Sequence, residues 1–142
     1  MRVIIAANSE QQEEILMKRT KSDVDLTFIK SISEVGMEND FDAIFIFQEL
    51  PLDFEIKKFS GKPVFMNSGR ETLEQNQFPD NFNRINGWCG FIKSPVWELV
   101  SRNRSDAGRI FDTLGWDVIY VADNPGLVAP RIISMIINEA FF

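Results

Sequence analysis

At 142 residues the chain is the size of one domain rather than two, and 44% apolar content with thirteen Phe lets it bury a core without disulfide staples. A net charge of −6 argues against binding phosphate backbones, which takes clustered cations. One cysteine and no histidine exclude an internal disulfide and a Cys/His zinc site, remove the usual general base near neutral pH, and fit a reducing cytoplasm.

Val3-Ile4-Ile5-Ala6 opens the chain as a buried-strand run. Ser9 followed by Gln12 fits a capping box, and the helix it opens is expected to reach Lys18-Arg19. Further strands are expected at Leu26–Ile29, Ala43–Phe47 and Pro63–Met66, with a short helix or turn at Ser31–Val35. Strand-like text follows at about 83–88 and again at about 97–101. A helix starting near Ser105 carries Ala107, Ile110, Phe111 and Leu114 on one stripe, with Gly115 placed to stop it. Val118–Val121 is the last strand, and the last helix begins with Pro130 at a tolerated first-turn position. Strands alternating with helices predict one α/β domain over residues 1–142, with a mostly parallel sheet and the first strand central. No leader precedes Arg2-Val3, and no apolar run approaches the ~18 residues of a membrane span, so neither export nor a membrane is expected.

In a dinucleotide-binding domain the first strand enters a glycine-rich turn whose amides meet the pyrophosphate at a helix N-terminus. Here it enters Ala7-Asn8-Ser9-Glu10, followed by Glu13 and Glu14, with no glycine at all. Asn8 and Ser9 read either as a modified phosphate loop using side-chain donors or, preferably, as an ordinary helix cap. The second strand ends Phe28-Ile29-Lys30, without the acidic residue that would hold an NAD ribose.

Asp123, Pro125, Gly126, Arg131, Asn138, Glu139 and Ala140 carry a resemblance. A strand, an Asp-x-Pro-Gly turn and a helix ending Asn-Glu-Ala make this stretch similar to the 3-hydroxyacyl-CoA dehydrogenase family. The resemblance implies a Rossmann-like three-layer domain, NAD as cofactor and an acyl-CoA substrate. It also implies a catalytic His, a Glu that orients it, and an active-site Asn after the Pro-Gly turn. Matching Gly87 and Leu99-Val100 without a gap puts Cys89 and Ser101 at the first two places, and Pro130 stands where the Asn would follow the Pro-Gly turn, so no catalytic residue is expected at any of the three. Cys89, between Trp88 and Gly90 in strand-like text, reads as structural rather than nucleophilic, since no His is present to activate it. Asn67-Ser68-Gly69 resembles the family's Ser-Asn-Thr-Ser segment near the nicotinamide, and equally reads as a strand-to-helix turn. Asn8, Ser9, Asn67 and Ser68 are therefore the cleft candidates. Between Ile29 and Phe41 there is room for one short helix, too little for the family's CoA-holding insertion.

Residues 130–142 are apolar on nearly all sides, and such a helix needs burial all round. In the resembled family it leads into a helical domain. Either a longer parent supplies that domain, or the helix meets a partner; a homodimer through Ile133, Ile136, Ile137 and Phe141 is expected. The first reading is thus a dehydrogenase-like protein without catalysis or cofactor, acting as a binding or assembly module. The alternative is an NAD-dependent 3-hydroxyacyl-CoA oxidoreductase completed by a helical domain from elsewhere.

Overall fold

Short runs of Val, Ile and Phe, apolar on both faces, have nowhere to go but the middle of a covered sheet. The computed structural model of the chain, described over residues 1–36, 40–51, 53–68 and 71–141, builds seven strands and three α-helices from them. The strands are β1 (Arg2–Ala6), β2 (Asp25–Ile29), β3 (Ala43–Ile46), β4 (Val64–Asn67), β5 (Phe82–Ile85), β6 (Val96–Val100) and β7 (Asp117–Tyr120). The helices are α1 (Ser9–Leu16), α2 (Arg104–Leu114) and α3 (Val128–Ala140). One sheet runs β2-β1-β3-β4-β5-β6-β7. Strands β1 to β5 are parallel; β6 runs antiparallel to β5, and β7 parallel to β6. β1 is paired on both sides but lies second from the edge, so β4 takes the central place expected of it.

Successive residues of each strand feed two cores. On one face Val3, Ile5, Phe45, Phe65, Ile85, Trp97 and Leu99 meet Ile15 of α1 and Ala107, Ile110, Phe111 and Leu114 of α2. Phe45 is the hub, stacked on Phe65 at 4.6 Å between centroids and edge-on to Phe111 at 5.7 Å. On the other face Ile4, Ile44, Val64, Met66 and Phe82 are covered by short 3-10 turns at Ile32–Glu34 and Ile56–Phe59 and by Leu73, Phe78 and Leu127. Among the described residues this third layer is made of short 3-10 turns and loops rather than α-helices. Stacked rings seal that face instead, Phe54 on Phe59 at 5.2 Å and Phe78 on Phe82 at 5.0 Å.

Several boundaries move from their expected places. The capping box is Asn8 with Gln11, not Ser9 with Gln12, because Asn8 holds the extended backbone of a cap and its short amide reaches the Gln11 N–H at 2.9 Å. Helix α1 stops at Leu16: its apolar face ends with Ile15, and Leu16 and Met17 are exposed. β5 ends at Ile85 rather than continuing to Trp88. A Cβ on Gly87 would stand 2.3 Å from the Phe47 ring, so the chain can pass only as glycine and then turns away. Asn103 caps α2, which opens at Arg104. Helix α3 opens two residues ahead of Pro130, and Glu98 of β6 caps it by accepting the Val128 and Ala129 N–H groups at 3.1 and 2.8 Å. Beyond Pro130 the described part of α3 is exposed on every side.

Candidate functional site

In open α/β sheets a ligand sits outside the carboxyl ends of the strands where the chain order reverses. Here that point lies between β1 and β3, whose neighbours lead off in opposite directions. The crevice is bounded by the turn Ala7-Asn8 into α1, by Phe47 after β3, by Asn67 ending β4 and by Gly87 after β5.

These four margins are tied to one another. Gln11, only 6% exposed, donates through Nε2 to the carbonyls of Gly87 at 3.0 Å and Phe47 at 3.3 Å. Its Oε1 accepts the Asn8 N–H at 3.0 Å. Asn67 donates to the same Phe47 carbonyl at 3.3 Å and accepts the Gly87 N–H at 3.1 Å. The result is a polar interlock across the carboxyl ends of the strands. Amides that a pyrophosphate would draw on are occupied by the chain's own oxygens, since Gln11 and Gln12 N–H also go to Asn8. No glycine opens the turn, and Ala7 is fully buried. The residues present do not fit a dinucleotide.

Of the four cleft candidates, Asn8 and Asn67 are drawn into the interlock, as cap and as clasp. Ser9 lies exposed on the first turn of α1. Ser68 Oγ donates to the Glu71 carbonyl at 2.9 Å, which makes it a turn residue; Gly69, the third member of that motif, lies outside the described residues. Glu14, one of the acids expected to repel an anion, accepts the N–H groups of Gly90 and Lys93 and pins the loop before β6.

The three replaced catalytic positions do not converge. Cys89 is in that loop, exposed and in a turn, which corrects its expected place in a strand. Partial desolvation raises its thiol pKa, and the nearby carboxylates of Glu10 and Glu14 raise it further. It stays a protonated thiol at neutral pH, the opposite of an activated nucleophile. Ser101 follows the far end of β6, about 16 Å away for a five-residue strand. Pro130 is buried in the first turn of α3.

Sequence reading missed two groups that organise this half of the molecule. Gln11 was passed over for Gln12, although its place three positions after Asn8 is the capping-box signal. Arg84, 0% exposed in β5, gave no local signal at all. It pairs with Asp123 at 2.5 Å and donates to the carbonyls of Ser68 and Asn124. Asp123 also accepts the Leu73 N–H at 2.9 Å. The Asp-x-Pro-Gly turn is thereby locked to β5 and to the segment after β4.

No family model matches the chain, and no curated protein matches it. Solved structures do. A 3-hydroxyacyl-CoA dehydrogenase from Archaeoglobus fulgidus DSM 4304 superposes with a TM-score of 0.62 at 12% identity, over 99% of this chain and 62% of the other. An NAD+-dependent dismutase, 5-formyl-3-hydroxy-2-methylpyridine 4-carboxylic acid 5-dehydrogenase, gives 0.59 at 13% identity, over 99% and 63%. At such identities the likeness shows the fold alone, a Rossmann-like α/β domain. The chain spans a little over three-fifths of either structure.

Proposed function

We propose that this chain uses a dehydrogenase-type nucleotide domain as an assembly module and performs no hydride transfer by itself. The observation that carries the reading is the interlock of Gln11, Phe47, Asn67 and Gly87 across the crevice where a dinucleotide would lie. Opening it for a pyrophosphate means breaking bonds to two carbonyls and desolvating an anion beside the carboxylates of α1. The scattered positions of Cys89, Ser101 and Pro130 support it from the side of the chemistry. The exposed apolar α3 supplies the assembling surface, through Ile133, Ile136, Ile137 and Phe141 of two copies. Among the described residues no helix is long and apolar enough to cross a membrane, and the single cysteine fits a reducing cytoplasm.

Calorimetric titration with NAD and NADP, alongside an assay for NADH from 3-hydroxybutyryl-CoA, tests the reading. No saturation in the micromolar range and no NADH are expected. Micromolar binding with turnover would establish the second reading, an NAD-dependent 3-hydroxyacyl-CoA oxidoreductase. That reading draws on the greater length of the matched dehydrogenases.

A further inference from the structure

The sheet has a second set of carboxyl ends. Because β6 and β7 run against the other strands, the β6-α2-β7 unit directs its carboxyl edge to the opposite side of the domain. That edge is open. A cleft of about 440 Å³ lies there, walled by Leu73, Glu74, Ser101, Arg102, Arg104 and Asp123. Its volume is that of a metabolite site.

The charges lining the cleft balance, Arg102 and Arg104 against Glu74 and Asp123, in a chain of net charge −6. Asp123 is neutralised from behind by the buried Arg84. The Arg104 guanidinium lies over the Tyr120 ring at 4.8 Å and has no ion pair among the described residues. Arg102 spends one donor on the Phe78 carbonyl at 2.7 Å; the carboxylate beside it, Asp80, is 3.7 Å away and exposed. The remaining guanidinium donors suit a planar carboxylate or a phosphoryl group. Ser101 Oγ is turned inward, shielded from solvent and without a hydrogen-bond partner, so a χ1 rotation toward the cleft would break no bond.

We propose that this cleft binds a small organic anion, its carboxylate or phosphoryl group held between Arg102 and Arg104 with Ser101 as a further donor. Glu74, exposed on the opposite wall, is the one lining carboxylate that no described cation neutralises, and it limits the affinity. The site is independent of the β1/β3 crevice, so the cofactor titrations leave it untouched.

Amide NMR of the full chain, titrated separately with inorganic phosphate and with succinate, tests it. At least one probe is expected to give saturable shifts centred on Ser101, Arg102, Ala122 and Asp123, and the one that binds identifies the head group. R104Q should weaken that binding about tenfold, the loss of one charge-assisted contact. E74Q should strengthen it, and the same spectra report that both variants are folded. Shifts that never saturate, that spread equally over exposed lysines, or that survive R104Q in a folded protein would overturn the proposal.

Discussion

Gln11 is held by three oxygen and nitrogen partners at once, and no shorter side chain spans from the helix cap to both Phe47 and Gly87. Q11A should leave the shielded Gly87 carbonyl unpaired and the Phe47 carbonyl with Asn67 as its remaining side-chain donor, a loss of about 1–3 kcal/mol less whatever water regains, seen as a lower urea midpoint with unchanged slope. A variant as stable as the parent would mean the interlock is decorative. Arg84 sets a steeper test: R84M leaves Asp123 facing a buried methionine and should cost about 3–5 kcal/mol, with D123N in the same chain recovering part of it. Cys89 gives the pH-dependent case. Its raised pKa keeps the thiolate scarce, so alkylation should begin only above the ordinary thiol range and move to lower pH in E10Q. An unmoved profile would remove Glu10 from the explanation. The sequence offered Asn8 and Asn67 because asparagine is informative in a turn, and Cys89 because it fell where the resembled family keeps its His. It did not offer Arg84, since a buried cation in a strand is explained only by a partner 39 residues away.

Strands were the legible elements, because an unbroken run such as Ala43–Phe47 is set by burial alone and needs no partner to be recognised. Helices α1 and α2 were legible through stripe and cap, within the usual slippage at their ends. The far face was legible only at Ser31–Val35, where the expected short helix is the 3-10 turn Ile32–Glu34; the rest of its cover depends on which Phe reaches which strand, and rings at irregular spacing carry no period to detect. The start of α3 was also misplaced, since its capping group comes from Glu98, 30 residues earlier. Replacing Glu98 by Ala leaves the first amides of α3 without their carboxylate. A loss of roughly 1 kcal/mol is expected, with fraying of α3 visible as faster amide exchange at Val128 and Ala129. Unchanged exchange there would show that water satisfies those groups equally well.

At the scale of the whole molecule, the sheet and both cores are closed while α3 stands out from them. Ile132, Ile133, Met135, Ile136 and Ile137 are each about half exposed, and Phe141 is 83% exposed. Ile133, Ile136, Ile137 and Phe141 follow an i, i+3, i+4, i+8 spacing and so share one stripe. Fully burying such side chains contributes roughly 1.5–3 kcal/mol each, and two copies bring two stripes. The sum is comparable with or larger than the ~4–15 kcal/mol lost when two free bodies become one. Two helices alone bury less than the ~1,200 Å² of a stable interface, so the neighbouring edge strand β7, with Ile119 half exposed, is expected to join the contact. A two-fold arrangement lets both stripes be covered by the same contact. Light scattering should therefore give twice the chain mass at micromolar concentration, and I136D with I137D should return it to the monomer without unfolding the sheet. A parent chain that stays monomeric at high micromolar concentration would rule out α3 as a self-association surface and leave its apolar stripe to a different protein.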